Sequence, residues 1–194
     1  HAIAQEKIKV GVLATYSGPS ALAGQQAENV IKMFQQKHGS AVAGKTVEFV
    51  RRDTTGPNPE VAKRLTQELI VREKVQILIG PDFTANVLAV TPLINEAKVP
   101  TILTGAATGG IVGERSPYLT RTFFVTRQVI APMAQWALKN GVKKPYLVVA
   151  DFAPGHEAEE VFSKTYAEAG ASLAGTTRIS LRNPEFSPYM PRIK

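Results

Sequence analysis

Two short segments have residue types and spacings that match patterns of chemical sites. The octet at residues 39–46, GSAVAGKT, fits the G-x-x-x-x-G-K-[ST] pattern of nucleotide-binding loops, whose backbone N–H groups cradle phosphates. Residues 156–160, HEAEE, resemble the HExxH zinc pattern, with Glu160 in place of the second histidine. Whether either segment carries that chemistry depends on the elements around it.

The order of elements around the octet argues against a nucleotide site. Apolar residues at helical spacing predict a helix over about residues 21–37, which ends at Gly39. Residues 46–50 alternate between apolar and polar and predict a strand. The order is helix, loop, strand, the reverse of a phosphate-binding loop, so Gly39 is predicted as a helix C-cap. Gly44 and Lys45 are predicted as a turn into the strand, and we expect no nucleotide there.

The histidine pattern is incomplete as a metal site. His156 and Glu160 would share one face of a helix, but two ligands do not close a zinc site. Acidic residues in a first helical turn are better explained as complements to the helix dipole. The chain has no cysteine, which removes disulfides, thiol catalysis and cysteine-based metal sites. We therefore predict no metal and no cofactor.

Composition and charge exclude two further classes of protein. Of the 194 residues, 44% are hydrophobic and 20% are charged, which is typical of a globular protein with a substantial core. No apolar run reaches the roughly 18 residues that a transmembrane helix needs. The net charge of +7 is spread along the chain in Lys/Arg runs no longer than two. This pattern predicts a solvated basic surface and no nucleic-acid interface.

Strand and helix patterns alternate along the whole chain. Mostly apolar strands are predicted at residues 8–14, 46–50, 76–79, 99–104, 145–150 and 172–180. Helices are predicted at residues 21–37, from 59, from about 84, at 128–140 and at 157–169, with Asn58 as an N-cap and Pro59 as the first residue of its helix. This alternation predicts a doubly wound parallel α/β architecture.

In such sheets, ligands bind beyond the carboxyl ends of the strands. The loops that follow the predicted strands are residues 15–20, 53–58, 80–84, 105–110 and 151–156. They contain hydroxyls and aromatic rings: Tyr16, Ser17, Phe83, Thr84, Thr108 and Phe152. The chain has no GxSxG nucleophile elbow, and no GxGxxG follows the first strand. We find no convergent acid–base or nucleophilic groups, so the loops favour a binding protein over an enzyme.

A series of short matches, in order along the chain, makes it resemble the periplasmic solute-binding proteins of ABC importers. The resemblance is to the type I fold and to the branched-chain amino acid (Leu/Ile/Val-binding) family. The matches, which extend over essentially the whole chain, are IKVGV at 8–12 with SGP at 17–19, Gly44-Lys45, Asp53 with PEVA at 59–62, Ile79-Gly80, Val99-Pro100, Thr104 with AAT at 106–108, Arg121-Thr122, Asp151 with Gly155, and FSPY at 186–189.

The resemblance implies doubly wound parallel sheets in two lobes that close on a ligand. It assigns residues 5–124 to most of lobe 1 and residues 125–194 to the start of lobe 2. Because family members are about twice this length, the second lobe is expected to be incomplete here and the chain to be part of a longer protein. Ala2-Ile3-Ala4 before polar residues is consistent with a removed signal peptide or with residues added by cloning.

The resemblance also implies a function. It predicts a non-enzymatic, periplasmic receptor that delivers a small carboxylate ligand to an ABC permease in the inner membrane. In the family, the hydroxyl after the Ile-Gly strand end and the threonine of the Ala-Ala-Thr loop hold the ligand's carboxylate, and a backbone carbonyl takes its ammonium. The corresponding residues here are Thr84, Thr108 and Ala106.

Two positions depart from the amino-acid binders of the family. Ala23 stands where they have a first-loop aromatic residue, and Pro154 replaces a tyrosine. The acidic residue that usually pairs with the ligand's ammonium would lie beyond Lys194. The aromatic residues Tyr16, Phe83 and Phe152 would suit a larger or aromatic carboxylate, although both phenylalanines are equally compatible with a place in the core.

Two other functions stay open at this point. The same bilobed fold serves effector-sensing domains of regulatory proteins, which an upstream DNA-binding or membrane segment would favour. A doubly wound enzyme that uses the same cleft is disfavoured by the missing nucleophile and base.

Overall fold

The computed structural model describes residues 6–113, 115–181 and 185–193. It divides into two compact units. The first comprises His1–Ala106 with Gly110–Phe123, and the second comprises Ala107–Gly109 with Phe124–Lys194. Among the described residues, no helix has the length and apolar character needed to cross a membrane.

The first unit is built on a six-stranded sheet. Its strands are β1 (Lys7–Ala14), β2 (Ala41–Val42), β3 (Lys45–Asp53), β4 (Ile77–Ile79), β5 (Thr101–Leu103) and β6 (Leu119–Arg121), in the order β2-β3-β1-β4-β5-β6. All neighbouring strands pair in parallel except β2 and β3. The chain goes from β1 to β3 on one side and then to β4 on the other. The strand order therefore reverses between β1 and β4, which is the topological switch point of the sheet.

Three helices connect these strands: α1 (Ala21–His38), α2 (Pro59–Val71) and α3 (Thr84–Ala97). Because such crossovers are right-handed, α1 lies on one face of the sheet and α2 and α3 lie together on the other. The core of the unit lies under α2 and α3, where the buried side chains include Leu13, Leu69, Leu78, Val87 and Leu103. The predicted doubly wound arrangement is confirmed for this unit.

The predicted starts of two helices are confirmed. The Asn58 side chain accepts a hydrogen bond from the Val61 N–H at 3.4 Å, and Pro59 is the first residue of α2. This is the N-cap and N1 pairing that the sequence predicts. Helix α3 begins at Thr84, as expected from the turn residues before it.

The octet at residues 39–46 forms the end of a helix and a hairpin. Gly39 caps α1 with φ of 78°, and its N–H donates to the Gln35 carbonyl at 2.8 Å. Ala43 and Gly44 both have positive φ, 49° and 78°, as a two-residue type I′ turn between β2 and β3 requires. Lys45 opens β3, so no helix follows the octet, and the predicted order of helix, turn and strand is confirmed.

The second unit contains a two-stranded parallel sheet. Its strands are β7 (Tyr146–Ala150) and β8 (Gly175–Ile179), and its helices are α4 (Thr126–Lys139) and α5 (Ala153–Glu168), with a 3₁₀ turn at Met190–Arg192. Helices α4 and α5 pack on each other around Ala134, Ala137, Phe162 and Tyr166. The phenol of Tyr166 donates to the Val142 carbonyl at 2.9 Å, which anchors the end of α4 to this core.

One predicted helix start is wrong, and two short strands are missed. Helix α5 begins at Ala153 instead of residue 157, because Pro154 is accommodated in its first turn, where no N–H is required. Gly155 is needed there because a Cβ would overlap the Ala150 carbonyl. Strands β2 and β6 are not predicted at all, since two or three residues are too short to show a period.

Candidate ligand-binding site

The carboxyl ends of β1, β3, β4 and β5, together with the loops that follow them, form one edge of the first unit, here called the carboxyl edge. Val12 of β1 pairs with Ile79 of β4, and Ala14 of β1 pairs with Asp53 of β3. The residues that follow these strands are therefore neighbours at the switch point. This is where a doubly wound sheet binds ligands.

Asp82 links three of these loops. Its Oδ2 accepts a hydrogen bond from the Thr15 N–H at 3.1 Å, and its backbone carbonyl accepts one from the Ala106 N–H at 2.9 Å. Gly105 passes against the backbone of Asp82, where a Cβ would not fit. Ala106 itself has a left-handed conformation with φ of 58°. Asp82 thus ties together the ends of β1, β4 and β5.

Asp53 organises the other side of the carboxyl edge. Its Oδ1 accepts hydrogen bonds from the Tyr16 N–H at 2.9 Å and from the Thr55 N–H at 2.8 Å. Burial raises the pKa of Asp53, but hydrogen bonds from the Ser17 side chain and from the Thr55 and Tyr16 backbone outweigh it, and the pKa is lowered overall. Asp53 is therefore held as a carboxylate that fixes the loop after β1.

Two buried threonines join the ends of β1 and β3. The hydroxyls of Thr15 and Thr54 lie 3.1 Å apart, and both residues are fully buried. The Thr54 N–H also donates to the Ala14 carbonyl at 3.0 Å. Because each buried polar group has a partner in the neighbouring loop, the two loops keep a fixed spacing.

The pKa of Asp82 is raised, whereas that of Asp53 is lowered. Burial raises its pKa, the hydrogen bonds from Thr15 only partly oppose this, and the charge of Asp53 adds to the rise. Its second oxygen, Oδ1, is buried and has no hydrogen-bond partner among the described residues. A charged acceptor in this position is costly unless a donor reaches it.

Tyr16 is held by a pair of charged residues. Its phenol donates to Glu28 of α1 at 3.1 Å, and the same carboxylate oxygen accepts from the Arg51 guanidinium. Burial, and then the hydrogen bond to Glu28, raise the pKa of Tyr16 far above its usual range. The hydroxyl is thus engaged within the protein, and the ring packs closely against Gly24 of α1.

The structure brings five of the predicted site residues to the carboxyl edge: Tyr16, Ser17, Phe83, Thr84 and Ala106. Thr84 is the first residue of α3 and is 2% exposed, and Phe83 is the half-buried N-cap residue before it. Ser17 is exposed, and its hydroxyl donates a hydrogen bond to the Asp53 carboxylate. A helix N-terminus offers backbone N–H groups and a favourable potential to an anion.

The other two predicted residues, Thr108 and Phe152, lie in the second unit and are both half-buried. The residues on either side of Thr108 are fixed by α4 and α5. The Ala107 carbonyl accepts from the Thr126 N–H at 2.9 Å, and the Gly109 N–H donates to Glu157 at 3.0 Å. Phe152 is the N-cap residue of α5, and its carbonyl accepts from the His156 N–H at 3.0 Å.

The histidine pattern does not form a metal site in the described part of the chain. The Nε2 of His156 lies 2.7 Å from an Asp151 oxygen, and the exposed Glu160 belongs to the same helix, α5. Within residues 6–113, 115–181 and 185–193, no three His, Cys, Asp or Glu side chains are grouped closely enough to bind a metal ion.

Sequence reasoning missed two residues of the carboxyl edge, Asp82 and Thr15. Thr15 directly follows β1 and Asp82 lies three residues after the end of β4, but neither belongs to a motif. Their role depends on a contact between residues 67 positions apart in the chain. The one sequence signal for the role of Asp82 is its position two residues before the predicted anion-binding threonine, Thr84.

A sequence model of the family described as periplasmic binding protein matches residues 7–194. A solute-binding protein of an ABC transporter from Rhodopseudomonas palustris, solved in complex with 4-hydroxybenzoate, is 46% identical, with a TM-score of 0.91 over 96% of this chain and 50% of that one. A second, from strain BisB5 in complex with 3,4-dihydroxybenzoic acid, is 39% identical, with a TM-score of 0.91 over 96% of this chain and 51% of that one.

Among curated proteins, Leu/Ile/Val-binding protein homolog 6 from Brucella abortus is 43% identical over 187 residues. The alignment covers 96% of this chain and 48% of that protein. The chain therefore spans about half the length of the curated relatives it matches.

Proposed function

This chain belongs to the periplasmic binding protein family, with its type I fold, and from that premise we propose that it is the extracytoplasmic receptor of an ABC importer. The receptor captures a small carboxylate-bearing ligand and delivers it to a permease in the inner membrane. It works in the periplasm and carries out no reaction of its own. We further propose that residues 5–124 supply most of lobe 1 and residues 125–194 begin lobe 2.

One observation carries the proposal: Thr84 opens α3 at the switch point of the sheet, where hydrogen-bonded loops surround it. The helix N-terminus provides N–H groups and a favourable dipole for a carboxylate without a buried cation. The ligands in the names of the relatives, 4-hydroxybenzoate, 3,4-dihydroxybenzoic acid and Leu/Ile/Val, all carry a carboxylate. This shared group is what we expect the site to bind.

We propose that the ligand contacts are Thr84, Ala106, Phe83, Tyr16 and Ser17 from the first unit and Thr108 and Phe152 from the second. Thr84 and Thr108 donate to the carboxylate. The rings of Tyr16, Phe83 and Phe152 form apolar walls. These walls suit an aromatic acid, and the relatives that bind benzoates support that class beside a branched-chain amino acid.

The test is native mass spectrometry of the freshly purified full-length protein, to detect a ligand that co-purifies with it. Calorimetry then measures binding of 4-hydroxybenzoate, benzoate and leucine, with 4-hydroxybenzamide as a control that lacks the carboxylate. We expect at least one acid to bind and the amide to bind at least tenfold more weakly, about the contribution of one charge-assisted hydrogen bond. A folded protein that binds none of the three acids would contradict the proposal.

A further inference from the structure

The short segment that carries Thr108 is held on both sides by other residues of the second unit. Residues 107–109 belong to that unit, whereas the flanking residues Ala106 and Gly110 belong to the first. Both flanking residues have positive φ, 58° and 64°, which is a backbone conformation typical of turns. Thr108 is therefore the middle residue of a tripeptide that begins and ends at a turn.

The residue before Thr108 is tied to the start of α4. The Ala107 carbonyl accepts two hydrogen bonds from Thr126, one from its N–H at 2.9 Å and one from its hydroxyl at 3.2 Å. A carbonyl oxygen has two lone pairs and can accept both donors. Thr126 is the first residue of α4 and is 6% exposed, so this end of the tripeptide is fixed to a buried position.

The residue after Thr108 is tied to α5 by Glu157. The Gly109 N–H donates to Oε2 of Glu157 at 3.0 Å, and a Cβ on residue 109 would lie only 3.0 Å from the other oxygen, Oε1. Glu157 is half-buried in the second turn of α5. A hydrogen bond to an ionised acceptor is stronger than a neutral one. This contact gives a role to the HEAEE segment, which forms no metal site in the described part of the chain.

Such contacts affect binding because a loop that its ligand must order uses part of the binding free energy for that ordering. Here the protein itself fixes the backbone on either side of Thr108. A threonine hydroxyl on a fixed backbone is available to a ligand without that cost. The contact from Glu157 is made by a side chain alone, so a substitution can remove it while leaving the backbone of α5 intact.

We propose that Glu157 is a positioning residue for ligand binding. By accepting the Gly109 N–H it keeps Thr108 in place to donate to the ligand's carboxylate, and it acts through Thr108 without contacting the ligand. The inference rests on the proposed function, because Thr108 is one of the two proposed carboxylate donors.

Calorimetry on the full-length protein with 4-hydroxybenzoate, benzoate and leucine tests this role. Glu157→Ala removes the acceptor and should weaken binding of the acid roughly fivefold to thirtyfold, the cost of ordering the backbone of about one residue. Glu157→Gln keeps an oxygen acceptor in the same position and should retain affinity within about threefold. Glu160→Ala is the matched control, since it removes an exposed acid from the same helix and should leave affinity unchanged.

A double-mutant cycle with Thr108→Val distinguishes positioning from a general loosening of α5. If Glu157 acts through Thr108, Glu157→Ala should change affinity by less than about twofold when Thr108 is already valine. A general structural effect would instead have its full size in both backgrounds. If the alanine variant does not fold, Glu157→Asp takes its place in the cycle, because it keeps the charge but shortens the side chain by one methylene.

The two proposals fail in different ways. The role of Glu157 is wrong, and the receptor function stands, if folded Glu157→Ala binds the acid at least as tightly as the wild type. The same holds if Glu157→Gln binds as weakly as Glu157→Ala, if the effects of Glu157→Ala and Thr108→Val add in full, or if Thr108→Val alone leaves affinity unchanged. If none of the three acids binds to the folded wild type, the receptor function itself is wrong, and the role of Glu157 falls with it.

Discussion

The replacement of Thr84 by valine separates a ligand-binding role from a structural one. Thr84 is 2% exposed at the first position of α3, and valine keeps its branched shape while removing the hydroxyl. A hydrogen bond to a charged group contributes about 1.5–3 kcal/mol. The loss of one such bond to the ligand's carboxylate should weaken binding roughly tenfold to a hundredfold.

The same change should affect stability less than binding. A neutral hydrogen bond contributes about 0.5–1.5 kcal/mol net, and valine leaves no cavity at this buried position. We therefore expect Thr84→Val to unfold at a slightly lower denaturant midpoint with an unchanged slope. Thr84→Ser, which keeps the hydroxyl, is the control and should retain affinity within about threefold, under 1 kcal/mol.

Isothermal calorimetry with 4-hydroxybenzoate and 4-hydroxybenzamide on the full-length protein is the assay. Because the amide carries no charge, it should lose less than the acid when Thr84 is replaced. Thr108→Val in the second unit should show the same difference. If folded Thr84→Val binds the acid with wild-type affinity, the carboxylate is held elsewhere and the assignment of the site fails.

Three further changes test the fold around this site. Gly80 has φ of 91°, and Gly80→Ala would place a Cβ against the Leu13 carbonyl, so it should lower the free energy of unfolding in urea by about 2–4 kcal/mol. Gly44 also has positive φ but open space around it, so Gly44→Ala should lower it by only about 1–2 kcal/mol. Equal costs would contradict the steric argument. Lys45→Ala removes an exposed ion pair with Glu6 and should change the free energy of unfolding by no more than about 0.5 kcal/mol. If the wild type binds ATP saturably and Lys45→Ala does not, the interpretation of the octet as a hairpin is refuted. The stabilisation by ionised Asp53 should be full above the unfolded pKa of about 3.9 and be lost as pH falls through its lowered folded pKa. The deficit of Asp53→Asn should therefore shrink in acid, and a deficit that is constant in urea unfolding from pH 7 to 3 would contradict this.

The long elements of the fold are readable from the sequence because each carries its own periodicity or cap. Asn58 and Pro59 mark the start of α2, and Gly39 marks the end of α1, by local chemistry alone. Helix α5 shows the limit of this reasoning. Pro154 and Gly155 look like turn residues, but the first is allowed in a first helical turn and the second is demanded by a close backbone approach.

The candidate site is only partly readable, because its framework consists of contacts between distant loops. The hydroxyl and aromatic residues after each strand can be found by position. The link from Asp82 to Thr15 and Ala106 cannot, since it appears only when the ends of β1, β4 and β5 are adjacent. The strand order, with β1 in the middle of the sheet, creates that adjacency.

The second compact unit is assembled from two separate segments of the chain, and this limits where the protein can be divided into fragments. Residues 107–109 belong to that unit, although the chain returns to the first unit before Phe124. A fragment that starts at Phe124 would lose the Ala107 carbonyl, which accepts from Thr126 at the start of α4, and the Gly109 N–H, which binds Glu157. Split-protein pairs and domain swaps cut at this point would therefore leave two helices without their anchors, whereas a cut in the exposed turn at Gly141 would keep the Ala107–Thr126 anchor of α4 on a single fragment.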